Sequence, residues 1–169
     1  MAPGDLSPPG VGAPPRRLRV NRPGFSGEVE IIVLSGARAP RAVSREGTLK
    51  AWQIEGLARF LGCSWQGSRL YCLVEYLPGK SWWDWVRGEE SLDATRLFSL
   101  RQEVESLLRR MEQQGVEPDL FREEMLRLGE DGKPALTGWG WRWAEGQTAG
   151  WAETRESFRA WSRQAGAGG

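Results

Sequence analysis

The stretch GVEPDLFREEMLRLGEDGKPALTGWG, residues 115 to 140, spaces carboxylates, among them Glu117, Asp119 and Glu124, ahead of two short apolar runs and a closing Gly-Trp-Gly. A loop carboxylate can accept a proton from a hydroxyl, which makes Asp119 a candidate general base. Glu124 can offer an oxygen to a hard divalent cation. Near the other end, RPGFSGEV places Gly24 and Gly27 where backbone amides could approach a phosphate. Pro23 removes one of those amide donors, and a turn between strands would need the glycines in any case. The chain has no histidine, so the commonest general base and zinc ligand are both missing. Its two cysteines, Cys63 and Cys72, are too few for a structural zinc site or a disulfide framework.

A chain of 169 residues can build one domain with a proper core. Lys and Arg number 23 against 22 Asp and Glu, and the net charge of +1 argues against nucleic acid as the main partner. No apolar run is long enough to span a membrane. The opening MAPGDLSPPGVGAPP has no apolar segment of the secretory type, so the expected address is cytoplasmic. Residues 1–15 are too rich in proline and glycine to bury apolar surface and are expected to be a disordered tail, as are residues 164–169. Arg16, Arg17 and Arg19 read as a solvated flank.

The elements between the tails follow from periodicity and punctuation. GEVEIIVLSG predicts a strand and PRAVSRE a second, short one. TLKAWQIEGLARFLG predicts a helix with Trp52, Ile54, Leu57, Ala58 and Leu61 along one stripe and Gly62 as its stop. CSWQGSRLYCLVEYL predicts a hairpin turning at Gly67-Ser68, with Trp65 opposite Leu70 and Cys63 opposite Cys72. A helix capped by Ser81 is expected to end at Gly88. The next runs from an Asp93 cap to Gly115, with Leu97, Leu100, Val104, Leu107, Leu108 and Met111 as its apolar stripe. EMLRLGEDGKPALTG predicts a small hairpin. A last helix puts Trp151, Thr154, Phe158 and Trp161 on one side and is the candidate cover for the helix that Asp93 starts. Trp82, Trp83 and Trp85 stand too close together for one helix face to bury all three, which makes them candidates for a partner surface. The order is that of an α+β domain with a sheet-rich front and a helix-rich back.

From about Arg19 to Gly140 the chain resembles the protein kinase fold. RPGFSGEV is similar to the family's glycine-rich loop, with Arg22 at the first glycine position. RAVSRE is similar to the strand bearing the ATP-orienting lysine, with Ser44 in the lysine slot. Glu55 falls near the ion-pair glutamate, and LVEYLPG is similar to the hinge, with Val74 as gatekeeper and the backbones of Glu75 and Leu77 facing an adenine edge. EPDLFREE lies over His-Arg-Asp-Leu-x-x-x-Asn, keeping Asp119 and Leu120 but replacing His, Arg and Asn by Glu117, Pro118 and Glu124. Gly138-Trp139-Gly140 lies over Asp-Phe-Gly, with Gly138 at the metal-binding aspartate.

The resemblance implies a small antiparallel N-terminal sheet with one helix, a hinge, and a shortened, mostly helical C-lobe. The expected bounds are 16–163 for the domain, about 16–76 for the N-lobe and about 77–163 for the C-lobe. Its nucleotide cleft would be drawn from Gly24, Gly27, Val29, Glu55, Val74, Glu75, Leu77 and Leu126. Ser44, Glu117, Glu124 and Gly138 are degenerate positions, and Asp119 is the remnant catalytic residue. Phosphoryl transfer rests on holding the triphosphate in line and neutralising it with lysine and magnesium. An uncharged Ser44 and a Gly138 with no carboxylate remove both, so neither ATP nor magnesium binding is expected and no metal site is assigned. No Ala-Pro-Glu motif follows Gly140, which implies a C-terminally truncated domain without a peptide-substrate platform. The expectation is a catalytically inactive, pseudokinase-like module acting through a protein partner. The alternatives are an unorthodox nucleotide-dependent phosphotransferase reusing the cleft, or a plain structural or assembly domain.

Overall fold

The alternation in RRLRVNR and FSGEVEIIVL builds an antiparallel hairpin, β1 (Arg16–Arg22) and β2 (Phe25–Leu34), turning at Pro23-Gly24 with Gly24 at φ 87°. The structure, a computed structural model, describes residues 16–87, 93–129, 131–142 and 150–167, and the expected tail 1–15 lies outside them. The arginines read as a flank are therefore strand residues. Arg22 donates to the Leu61 carbonyl (3.2 Å) and Arg59 to that of Gly24 (3.0 Å), drawing the hairpin tip across towards β3 (Phe60–Gln66).

The predicted cysteine hairpin is present in its expected register. β3 and β4 (Arg69–Glu75) pair antiparallel with Cys63 opposite Cys72 and Trp65 opposite Leu70. The four strands run in the order β1-β2-β4-β3. Both cysteines are free thiols. Burial, the bond to Glu46 and that carboxylate's charge push Cys63 up to about 11, and burial above all pushes Cys72 up to about 12.

PRAVSRE is not a strand. It lies inside helix α1 (Arg38–Ala51), whose alanines, arginines, glutamate, leucine and lysine are good helix formers and whose Pro40 falls in the tolerant first turn. Ala39, Ala42 and Leu49 supply its buried face against Ile32, Leu34, Leu70, Cys72 and Val74 of the sheet. The helix expected over residues 48 to 62 is helical only as far as Ala51, the end of α1. Trp52 is already extended and Gly56 takes φ 93°, so the chain leaves α1 as a loop and enters β3. The apolar residues that mimicked one stripe divide: Ile54 and Leu57 join the helical core, Ala58 packs against the sheet core, and Leu61 is a buried strand residue.

After β4 come β5 (Lys80–Ser81) and the short helix α2 (Trp82–Arg87), where the Ser81 hydroxyl accepts from the Asp84 amide (3.2 Å) as a cap. The expected stop at Gly88 lies outside the described residues. Helix α3 (Ala94–Gln113) starts on Asp93, whose carboxylate accepts from the Arg96 amide at 2.8 Å. It stops at Gly115, φ 81°, where the Val116 amide reaches back to the Met111 carbonyl (3.0 Å). A 3-10 turn (Glu123–Met125) leads into the hairpin β6 (Leu126–Leu128) and β7 (Pro134–Leu136). The last helix, α4 (Trp151–Ala167), takes in residues 164–167 that were expected to be loose. It lays Phe158, Trp151 and Trp161 on the core that α3 builds with Trp82, Trp85 and the small hairpin.

Phe158 is almost fully buried. Phe158→Ala is expected to cost about 3–5 kcal/mol, read as a lowered urea midpoint; a loss below about 1 kcal/mol would mean that α4 is not part of the core. With both thiols held protonated near pH 8, iodoacetamide should alkylate them at least ~10-fold more slowly than free cysteine, Cys63 before the buried Cys72. Modification at the free-cysteine rate would contradict the packing.

Candidate functional site

The loop from Glu117 to Phe121 and the turn from Gly138 to Gly140 meet where the two cores join. Asp119 makes the junction: one carboxylate oxygen accepts from the Leu120 amide and the other from the Gly140 amide, both at 2.8 Å. The Trp139 indole donates to the Glu117 carbonyl at 2.9 Å. From below, α4 satisfies the loop's remaining polar groups. Thr154 donates its hydroxyl to the Asp119 carbonyl (2.6 Å), and Ser157 accepts the Phe121 amide (2.9 Å). The Trp161 indole donates to the Glu123 carboxylate (3.0 Å). From above, Arg45 of α1 forms an ion pair with Glu117 at 2.6 Å.

The turn itself is filled with aromatic rings. Left-handed backbone at Gly138 (φ 76°) and Gly140 (φ 81°) sends Trp139 into the helical core and Trp141 into the sheet core. Trp139 stacks on Trp151 (6.0 Å between ring centres), and Trp141 meets Phe60 edge-on (5.2 Å). Trp52 packs against both cores. A Cβ on Gly140 would stand 3.1 Å from the Trp52 ring and 3.5 Å from the Arg45 guanidinium, so glycine is needed for space as well as for conformation.

Next to the turn sits a group of charges. Glu30, in the middle of β2, is buried, and across the strands it stands in register with Val74 and Arg17. Burial lowers the Arg142 guanidinium below its ordinary value; Glu30 and Glu124 act to hold it up, and Arg127 and Arg38 push it further down. A buried acid on the strand and a half-buried guanidinium beyond the glycine turn thus act on one another.

The structure brings together Glu117, Asp119 and the turn that Gly138 opens, leaves Glu124 linked to it only through the charge of Arg142, and scatters the other candidates. Ser44 is exposed on α1 and donates its hydroxyl to the Arg41 carbonyl (2.9 Å), so it occupies no strand slot and does not face the buried Gly138. Glu55 lies beyond α1 on an exposed loop and pairs with Lys133 at 3.4 Å. Val29 and Val74 point to opposite faces of the sheet, because Val74 is in register with Glu30. Leu126 is sealed inside the helical core. Along the hinge-like segment, the Glu75 amide donates to the Arg59 carbonyl (2.8 Å) and the Tyr76 amide to that of Glu28 (3.0 Å), with Leu77 half-buried beyond them. At the glycine turn, Arg59 holds the Gly24 carbonyl and lies over the Phe25 ring, against which Gly27 packs.

Two of the three surface tryptophans are core residues. Trp82 and Trp85, three apart on α2, are buried in the helical core, Trp82 edge-on to Trp161 at 5.0 Å. The Trp83 side chain lies outside the described residues. Sequence reasoning missed Glu30, Trp141 and Arg142, and it considered Arg45 only as a strand residue beside Ser44. An acid inside the apolar run EVEIIVL and the doubled Gly-Trp were the available signals. Arg45 was hidden by the reading of its segment as a strand.

No protein-family model matches the sequence, and no curated protein matches it. Among solved structures the fold is similar to the crystal structure of Rad53 1-466 in complex with AMP-PNP, a kinase, with a TM-score of 0.57 and 12% identity. The match covers 70% of this chain and 33% of that one, so the chain spans about a third of that structure's length. At this identity the likeness speaks for the fold, which is kinase-like and α+β with a small antiparallel N-terminal sheet.

Proposed function

We propose that the chain is a kinase-fold module that transfers no phosphoryl group and works by binding another protein. The observation that carries this reading is the state of Asp119: both of its carboxylate oxygens are committed to backbone amides of the loop and the turn. A general base must be turned towards a substrate hydroxyl in a positioned cleft, whereas both Asp119 oxygens are turned towards the chain's own amides. Here the carboxylate serves as a structural clamp, and the turn beside it carries buried indoles.

The electrostatics point the same way. Phosphoryl transfer concentrates anionic oxygens between sheet and helices, to be met by a cation on the strand and metal-bound carboxylates below. The strand leading into α1 carries an acid, Glu30, rather than a cation at its centre, buried on the face that meets α1 and within the field of Arg142. Of the two hinge-like positions, the Glu75 amide is bonded to the Arg59 carbonyl rather than offered to a base. On this reading neither ATP nor magnesium is a cofactor, the partner is a protein rather than nucleic acid or membrane, and the module works in the cytoplasm. No described helix is long and apolar enough to cross a membrane.

In a thermal-shift titration, ATP with or without magnesium should leave the melting temperature unchanged up to millimolar concentration; a saturable rise would overturn the reading. Asp119→Ala should cost about 2–3 kcal/mol in a urea melt, because two amides lose a charged acceptor. A residue kept for proton transfer would instead be replaceable with little loss of stability.

A further inference from the structure

Arg155, Arg159 and Arg163 recur every fourth residue along α4. The first pairs with Glu112 of α3 and the second with Glu105, seven residues earlier. Seven residues earlier again stands Phe98, so the ladder of cross-helix ion pairs ends at a phenyl ring. Phe98 is 61% exposed, the most exposed large apolar side chain among the described residues. The third arginine turns back to Glu156 on its own helix, in a pair whose two side chains are each 65% exposed. Such a pair contributes little and is easily exchanged for another carboxylate.

An open groove of about 260 Å³ lies at this end of the two helices, lined by Phe98, Arg101, Glu105, Phe158, Arg159 and Arg163 among others. It has room for a side chain rather than a cofactor. Its charge is one-sided, with three arginines against Glu105, which Arg159 already engages. Arg101 donates one guanidinium N–H to the Ser162 carbonyl, yet its shielded Nε meets no acceptor among the described residues. A buried N–H without an acceptor is costly, and a carboxylate held in the groove beside that guanidinium offsets part of the cost through its charge.

We propose that this groove docks a partner segment that carries a carboxylate side chain beside a large apolar one. The carboxylate faces Arg101 and Arg163, and the apolar group packs on Phe98 where the ladder stops. This names a surface and a partner class for the binding module proposed above. The two readings fail separately: a saturable ATP shift removes the account of the cleft, and the peptide titration below removes only the groove.

The test uses the full chain, nitrogen-15 labelled, with the Arg101 Nε–H resonance as its reporter. Three capped peptides are titrated: Leu-Glu-Glu-Leu-Leu-Glu, the same with lysine for glutamate, and the same with alanine for leucine. The first should shift the Arg101 resonance saturably, and the other two should not. Phe98→Ala and Arg163→Glu, both at exposed positions that the fold does not need, should each weaken binding at least ~10-fold. Absence of a saturable shift, an equal shift from the lysine or alanine peptide, or unchanged binding in both variants would overturn the proposal.

Discussion

One carboxylate fastens the place where this fold could come apart. Asp119 bonds the amide that follows it and the amide of Gly140, and so ties the loop after α3 to the glycine turn that passes between the two cores. Charge-assisted bonds of this kind are roughly twice as strong as neutral ones. The Arg45–Glu117 ion pair across the same junction is partly open to solvent and adds much less. The remaining strength is apolar: Trp139 and Trp141 leave the turn in opposite directions and anchor one core each. Each contributes roughly what a fully buried aromatic does, about 1.5–3 kcal/mol.

The clamp depends on elements far away in sequence. The Asp119 loop has its own unpaired polar groups, and the side chains of Thr154, Ser157 and Trp161 on α4 meet them. The helix that closes the apolar underside of α3 is thus also the floor of the loop. Above the junction, α1 must sit close enough for Arg45 to reach Glu117, and the small residues Ala39 and Ala42 on its buried face let it approach the sheet. Glycine at 140 completes the fit, because any side chain there would enter the space of Trp52.

Where local chemistry decides, the sequence was legible. The Gly67-Ser68 turn set the register that puts Cys63 opposite Cys72, and Asp93, Ser81 and Gly115 mark helix ends that are found where their side chains or lack of one require. The α+β order was readable from the same signals, and the kinase-like layout from the motif resemblance between about Arg19 and Gly140. Misreadings arose where one short pattern had two meanings. RAVSRE alternates like a strand but continues a helix-forming run, and that single error displaced Ser44, Glu55 and Arg45 together. Ile54, Leu57 and Ala58 looked like one stripe because two cores interleave along that loop. Within the candidate site Asp119 and Gly138 were found from the motif, whereas Glu30 and Arg142 need the folded chain before their charges meet.

The central claim is that Asp119 works as a clamp. Native-state hydrogen exchange of the Gly140 amide tests it most directly. Its only described acceptor is the Asp119 carboxylate, so the account predicts protection close to that of the buried α3 amides around Leu107, opening only when the whole domain unfolds. Exchange of the Gly140 amide at the rate of an exposed loop would contradict it.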